Sequence, residues 1–251
     1  MIHNIAHRGA SAYEPENTLR AFARAIEMGA TLIELDVHLS RDGQPMVIHD
    51  ADLSRTTTGR VSDLTLDEIQ RFDAGLGEPV PTLEQVIDLV WGRVQLYIEL
   101  KGQQTPAPVV ATLQGKDFID QAIVGSFFPW LPQKAKFLEP ALRTSMLVAW
   151  RDRQADFVDW ALAVNADYVH LCWESGSPTP HQLLSADLIT SIRRHSLEIV
   201  LWHEERPEEL VELVQLDVYG ICTNTPDVLA SILGRSASRL QAGQRNTDTH
   251  L

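Results

Sequence analysis

The chain predicts an α/β protein, a (β/α)8 barrel with a small insertion after the strand that ends at His49-Asp50. Three observations carry that expectation. Short β-rich runs alternate with segments of helical period, the pattern of βα units around a parallel sheet. The strand candidates are Ile2 to Ala6, Thr31 to Val37, Pro45 to Ile48, Val94 to Leu100, Ala122 to Ser126, Arg143 to Val148, Asp167 to Leu171, Leu197 to Trp202 and Val218 to Thr223. They exceed a barrel's eight by one. The surplus is local, because Asp42-Gly43 leaves no room for a helix between Thr31–Leu39 and Gln44–Ile48, so those runs read as an antiparallel hairpin.

Each element follows from its neighbours. A helix over Glu16 to Met28 follows the first strand, and further helices read at Leu83 to Trp91, Asp152 to Val164, Ser185 to His195 and Pro207 to Leu216. With the hairpin turn at Ser40 to Gly43, Leu39 pairs with Gln44, and counting outward sets Glu34 opposite His49, on the Asp36 side. Asp50 to Pro81 breaks the βα rhythm: polar Arg55-Thr56-Thr57-Thr58-Gly59 leads to Leu64–Phe72 and then turn-rich Ala74 to Pro79. That segment reads as an insertion over the barrel mouth, where loops carry function. Residues 1–233 are expected to form one domain with the insertion at about 50–81, and 234–251 read as a polar disordered tail.

Composition narrows the class. A chain of 251 residues with 44% hydrophobic content can bury a large core. Asp and Glu outnumber Lys and Arg by 34 to 21, a net charge of −13, which argues against nucleic acid or an anionic membrane surface as partner. Cys172 and Cys222 each lie in an apolar strand-like run and give no disulfide framework. Without a basic n-region followed by an apolar stretch, the chain reads as soluble and cytoplasmic. A homo-oligomer stays open.

The ionisable residues gather at strand ends. Glu34 and Asp36 share one face of their strand, as do Glu99 and Lys101, and His7-Arg8-Gly9 follows the first strand. A lone acid at such a place is usually a solvated rim residue or the partner of an Arg. Three acids, a Lys and two histidines, His7 and His49, in the same setting suit a hard divalent cation with oxygen ligands and metal-assisted chemistry. Aromatic residues also follow strands (Phe127, Phe128, Trp130, Trp150, Trp173, Trp202); of these Trp202 is the expected substrate wall.

The motifs occur in a definite order: His7-Arg8-Gly9-Ala10, Pro15-Glu16-Asn17-Thr18, Glu34-Leu35-Asp36-Val37, Asp42-Gly43 to His49-Asp50, Pro81-Thr82-Leu83 and Ile98-Glu99-Leu100-Lys101. Ser126-Phe127, Leu201-Trp202 and Gly220 to Asp227 follow. Together they resemble the glycerophosphodiester phosphodiesterase family in a compact bacterial form, from Ile5 to about Leu229. The resemblance implies a metal-dependent TIM barrel that cleaves glycerophosphodiesters to sn-glycerol 3-phosphate and an alcohol. It implies metal ligation of one divalent cation, Mg2+ or Ca2+, by Glu34, Asp36 and Glu99. It further implies acid-base work by His7 and His49, and phosphate contacts from Arg8 and Lys101. Two segments depart from the usual pattern: Trp202-His203-Glu204-Glu205 stands where many members read Trp-Thr-Val-Asn, and Thr223-Asn224-Thr225-Pro226 replaces Thr-Asp-Arg-Pro. Two other readings remain, a lysophospholipase D on the same barrel and a non-catalytic phosphodiester-binding protein. The polar insertion disfavours the first and the paired histidines disfavour the second.

Overall fold

Side-chain alternation along each strand builds the architecture. The computed structural model describes residues 2–53, 59–173 and 176–234, so Arg55 to Thr58 of the polar run and the tail beyond Gly234 lie outside the described residues. The strands are β1 (His3–His7), β2 (Leu32–Leu39), β3 (Pro45–Val47), β4 (Gln95–Leu100), β5 (Ala122–Ser126), β6 (Arg143–Ala149), β7 (Tyr168–Cys172), β8 (Glu198–Leu201) and β9 (Gly220–Thr223). They run β1-β9-β8-β7-β6-β5-β4-β2-β3, and β1 also pairs with β2. That pairing closes a parallel barrel, with β3 hanging antiparallel on β2. The fold is the (β/α)8 barrel with the insertion after His49-Asp50.

Between strands run α1 (Leu19–Glu27), α3 (Leu83–Val90), α4 (Pro106–Gly115), α5 (Trp130–Leu138), α6 (Phe157–Ala163), α7 (Ala186–Arg194), α8 (Pro207–Leu213) and α9 (Pro226–Ile232), while α2 (Leu66–Ile69) belongs to the insertion. Outward strand residues such as Ile33, Leu35 and Ile98 pack against the helices, and Ile5, Leu32, Tyr97, Ile123, Leu147, Tyr168 and Val200 fill the interior. Cys172 and Cys222 are buried in that same interior cluster. Climbing the inner face, Ile5 gives way to His7, Leu32 to Glu34 and Asp36, and Tyr97 to Glu99. The C-terminal mouth is therefore ionisable above an apolar plug, the end at which barrels carry their sites. Among the described residues no helix is long and apolar enough to cross a membrane.

Local chemistry moved some boundaries. Helix α1 starts at Leu19, not Glu16, because the Thr18 hydroxyl accepts the Ala21 N–H at 3.1 Å and takes the N-cap. Helix α6 starts at Phe157, since a 3-10 turn at Trp150–Asp152 follows β6 directly. The hairpin register corrects the expectation by one residue: Leu39 faces Pro45, not Gln44, and Val37 faces Val47. The cause is the loop, where Ser40 N–H donates to the Gln44 carbonyl at 3.0 Å and Ser40 Oγ accepts the Gln44 N–H at 2.9 Å, drawing Gln44 into the turn. His49 therefore does not stand opposite Glu34; it lies beyond the end of β3.

The insertion carries a small core of its own, Leu53, Val61, Ile69 and Val80 against Met46. It is tied to the hairpin tip through Arg41 N–H to the Leu64 carbonyl at 2.8 Å and Leu66 N–H to Asp42 Oδ1 at 3.0 Å. It thereby forms one wall of a cleft lined by Asn17, Ile48, His49, Asp50 and Phe72.

The turn after β1 depends on Gly9, whose φ is +85° and whose added Cβ would come within 2.8 Å of the Ala21 backbone in α1. Gly9→Ala combines left-handed strain with overpacking and should cost about 3 kcal/mol. The expected outcome is a fall in the melting temperature of roughly 5–10 °C, measured by calorimetry; an unchanged melting temperature would show that the turn relaxes freely.

Candidate active site

Strand register gathers the carboxylates. His7 pairs with Glu34 across β1 and β2, and Asp36 with Glu99 across β2 and β4. Ligand oxygens of Glu34, Asp36 and Glu99 lie within 4.8 Å of one another, all buried. Asp36 is the hub: it pairs with Arg8 Nε at 3.1 Å and Lys101 Nζ at 3.0 Å and accepts from Asn17 Nδ2 at 2.9 Å. Lys101 also reaches Glu99 at 2.7 Å, and Arg8 reaches Glu16 at 3.1 Å. Arg8 and Asn17 both adopt the left-handed region, φ 55° and 58°, an uncommon conformation for non-glycine residues that costs energy. At Arg8 it lets the backbone N–H donate to Glu34 at 3.0 Å while the guanidinium goes to Asp36.

The two cations serve the three acids unequally. Burial works to raise Asp36, but Lys101 and Arg8 outweigh it and hold that carboxyl at about 2. Glu34 is pushed well above the carboxylate range by burial, with Asp36 and Glu99 adding repulsion. Glu99 rises to about 7, chiefly through burial, with Asp36 adding and Lys101 opposing.

The histidines sit differently. His7 is buried, with Nδ1 2.7 Å from Asn224 Oδ1, so the amide oxygen takes the Nδ1 proton and leaves the lone pair on Nε2. Among the described residues that Nε2 has no hydrogen-bond partner, and it stands 3.9 Å from Glu34. Burial, then Arg8 and His203, lower its pKa well below the ordinary value, so His7 is neutral at pH 7. His49 is about one-third exposed on the cleft wall, its Nδ1 2.7 Å from Asp50 Oδ1 and its carbonyl accepting from His38 Nε2 at 3.0 Å. Trp202 meets the His7 ring edge-on at 5.2 Å and Phe127 at 6.1 Å.

A carboxylate cluster, two differently held histidines and two partly buried cations stand together at the mouth of the (β/α)8 barrel. The family model described as the glycerophosphoryl diester phosphodiesterase family matches residues 7–228. The chain belongs to that family, whose members are phosphoric diester hydrolases. It is 32% identical over 245 residues to a glycerophosphodiester phosphodiesterase of Caldanaerobacter subterraneus subsp. tengcongensis, covering 91% of this chain and 96% of that one. It is 31% identical to the glycerophosphodiester phosphodiesterase of Bacillus subtilis, over 92% of this chain and 86% of that one. Among solved structures, the glycerophosphodiester phosphodiesterase of Agrobacterium tumefaciens superposes with a TM-score of 0.81 at 30% identity, covering 92% of this chain and all of that one. A phosphodiesterase of Oleispira antarctica, solved with its product sn-glycerol-3-phosphate, shares the fold at TM-score 0.81 and 24% identity over 92% and 96% of the two chains.

The structure brings Glu34, Asp36, Glu99, His7, Arg8 and Lys101 into one cluster, with His49 at its edge and Trp202 beside His7. Arg8 and Lys101 are already engaged as counter-ions of the acids. Sequence reasoning underrated Glu16 and Asn17, read as a helix start, and did not assign Ser11 or Asn224. Ser11 Oγ lies 2.8 Å from Asn224 Oδ1 and 2.7 Å from the His7 carbonyl. The Pro15-Glu16-Asn17-Thr18 motif was the available signal for Asn17; an isolated Ser offers none.

The donor set fits a hard divalent cation: all-oxygen, buried and short of positive charge, with Glu34 and Glu99 pushed toward their neutral forms by burial first and by the neighbouring acids second. This fixes a pH dependence. In the metal-free protein Glu34 and Glu99 hold protons that the unfolded chain releases from about 4.5 upward, so the folded state binds more protons and its stability falls as pH rises to about 7. Asp36 works oppositely, its contribution being lost as pH falls from 3.8 toward about 2. Histidines lowered by burial, His7, His38 and His170, act in the opposite sense between pH 5.5 and 7.5, so the acids are isolated by comparison: in chelator the melting temperature of Glu34→Gln/Glu99→Gln relative to the parent should rise from pH 5.5 to pH 7.5 by differential scanning calorimetry, and saturating Mg2+ or Ca2+ should stabilise the parent alone. A difference between variant and parent that does not change with pH would show that the two acids are not held up in the folded protein.

Proposed function

We propose that this chain hydrolyses glycerophosphodiesters to sn-glycerol 3-phosphate and an alcohol, using one divalent cation, Mg2+ or Ca2+, held by Glu34, Asp36 and Glu99. The observation that carries this reading is the unpartnered, buried His7 Nε2 beside that acidic triad. When bound, the cation supplies charge neutralisation at the phosphate and the oxygens that gain charge in displacement. Arg8 and Lys101 carry more N–H donors than Asp36, Glu16 and Glu99 use, and turn the remainder to the substrate phosphate.

His7 enters neutral, so its Nε2 lone pair can take the proton of the attacking oxygen, whether from water or from the substrate's own glycerol hydroxyl. His49 is oriented by Asp50 at the cleft, where a departing alcohol meets solvent, and donates the leaving-group proton. Trp202 and Phe127 form an apolar wall beside His7 for the carbon atoms of the substrate. The acidic composition and the carboxylates along the cleft favour a soluble diester over a lysolipid, in a cytoplasmic setting.

Glu34→Ala and Asp36→Ala should lose activity toward glycerophosphocholine while keeping the circular-dichroism spectrum of a folded barrel, and excess EDTA should do the same to the parent. Full turnover in EDTA, with no metal in the purified protein, would sink the metal assignment. kcat/KM for glycerophosphocholine or glycerophosphoethanolamine should exceed that for lysophosphatidylcholine; the reverse order would make the protein a lysophospholipase D.

The division of labour is tested with a nitrophenyl leaving group, which needs little protonation. His7→Ala and His49→Ala should each lose about 10²-fold or more on glycerophosphocholine. On the nitrophenyl diester His49→Ala should recover far more than His7→Ala. Equal recovery would refute the assignment of base and acid.

A further inference from the structure

Large apolar side chains left singly in water need no account, but those on α5 and α6 fall together. Trp130 and Phe137 stand two helical turns apart and so share one face of α5. Both are exposed, Phe137 to 84%. Phe128, exposed as well, extends this face from the β5–α5 loop, its ring 5.1 Å from that of Trp130. On the next helix Trp160 is exposed and lies one turn before Val164, which lines a groove with Phe137, Gln133 and Ala163. Gln133 Nε2 spans that groove to the Ala163 carbonyl at 3.5 Å.

Area separates this patch from ordinary scatter. At roughly 200 Å² per aromatic side chain, exposures of 47% for Phe128, 52% for Trp130, 84% for Phe137 and 44% for Trp160 leave about 450 Å² of aromatic surface in water. The largest apolar patch on a monomer is about 300–600 Å² and is often functional. A specific interface buries about 800 Å² per partner, a little over half of it apolar. The patch has the apolar area that one side of a stable dimer requires.

Charge identifies the partner. Helix α5 carries Lys134 and Lys136 and no acid, whereas Asp156 and Asp159 precede Trp160 and α6 holds no Lys or Arg. Lys136 is committed to Asp167 at 2.7 Å. Among the described residues Lys134, Asp156 and Asp159 form no ion pair. A basic α5 beside an acidic α6 is self-complementary, because a twofold axis sets α5 of one copy against α6 of the other and repeats the contact. An anionic membrane surface would instead meet those aspartates and a chain of net charge −13. The chain beyond Gly234 has no aromatic residue and only Leu240 and Leu251 as large apolar side chains, too few to cover the patch.

We propose that the α5–α6 face is the interface of a twofold homodimer. The four aromatic residues form its centre, Phe137 of each copy enters the groove beside Ala163 and Val164 of the other, and Lys134 of each copy faces Asp159 of the other.

The test is sedimentation velocity on the full chain; it reads mass alone and so stands whatever the substrate. At about 50 µM, well within reach of an interface of this size, the parent should sediment at twice the 28.1 kDa of one chain. Phe137→Glu should raise Kd about 30-fold or more, as expected for a central aromatic, and keep the circular-dichroism spectrum of the folded barrel. Should Phe137→Glu not fold, Phe137→Ala reads the same contact and should cost about 10-fold. Lys134→Glu and Asp159→Lys should each weaken self-association about 10-fold. Mixed together, those two variants should form a heterodimer within about threefold of the parent's Kd, since both contacts again join opposite charges. A parent that stays at 28.1 kDa, a dimer that survives the Phe137 substitutions, or a mixture that associates no better than its components overturns the proposal.

Discussion

Everything at the barrel mouth depends on how three buried carboxylates share two cations. Removing a carboxylate from water costs several kcal/mol even after relaxation, and only close opposite charge and hydrogen bonds offset that cost. Asp36 receives nearly all of the compensation available, from Arg8, Lys101 and Asn17. Glu34 keeps a single backbone N–H from Arg8, and Glu99 shares Lys101 with Asp36. The result is an asymmetric cluster: one carboxylate held low, and two raised chiefly by burial, with repulsion from the neighbouring acids adding. An additional positive charge at this point is favourable, and the protein's own side chains do not provide it. The proposed cation would gain from that imbalance as much as from the ligand types.

Holding this cluster explains local features that would otherwise count against stability. Arg8 and Asn17 occupy a backbone region that non-glycine residues seldom use. In both cases the unusual conformation lets a loop residue address β2 from above: the Arg8 amide reaches Glu34 and the Asn17 side chain reaches Asp36. Gly9 next to Arg8 is left-handed as well, with α1 packed against its missing side chain. The β1–α1 turn is shaped by the acids it must meet, and its strain is offset by charge-assisted hydrogen bonds. The same backbone places His7 at the last position of β1, where its neighbours favour the neutral ring.

The barrel was legible because its signals are local: alternation within strands and helical period between them. Glu34, Asp36, Glu99, Lys101 and His7 were legible for a related reason, since a strand's period of two fixes which residues share a face. Asn17 and Asn224 carry no comparable mark. An amide becomes part of a site only through its tertiary partner, here Asp36 at a separation of 19 residues and His7 at 217. The hairpin register failed for a different reason, because an Asp-Gly turn suggested a tight loop while the Ser40 side chain drew Gln44 into it.

That register error left His49 in the right neighbourhood, and the reason bears on how the site works. His7, Glu34, Asp36 and Glu99 are placed by strand pairing, so a slip of one residue would send each of them to the other side of the sheet. His49 lies past the last ladder pair of β3, where its position is set by its carbonyl bond from His38 and by Asp50 rather than by alternation. Rigid placement suits groups that must hold a cation and a reacting phosphate in fixed geometry. The proposed proton donor has a different requirement, since it faces an alcohol that must leave. A side chain about one-third exposed on the wall of a cleft, oriented by one carboxylate and bordered by an insertion with its own small core, meets that requirement while the acids below stay fixed.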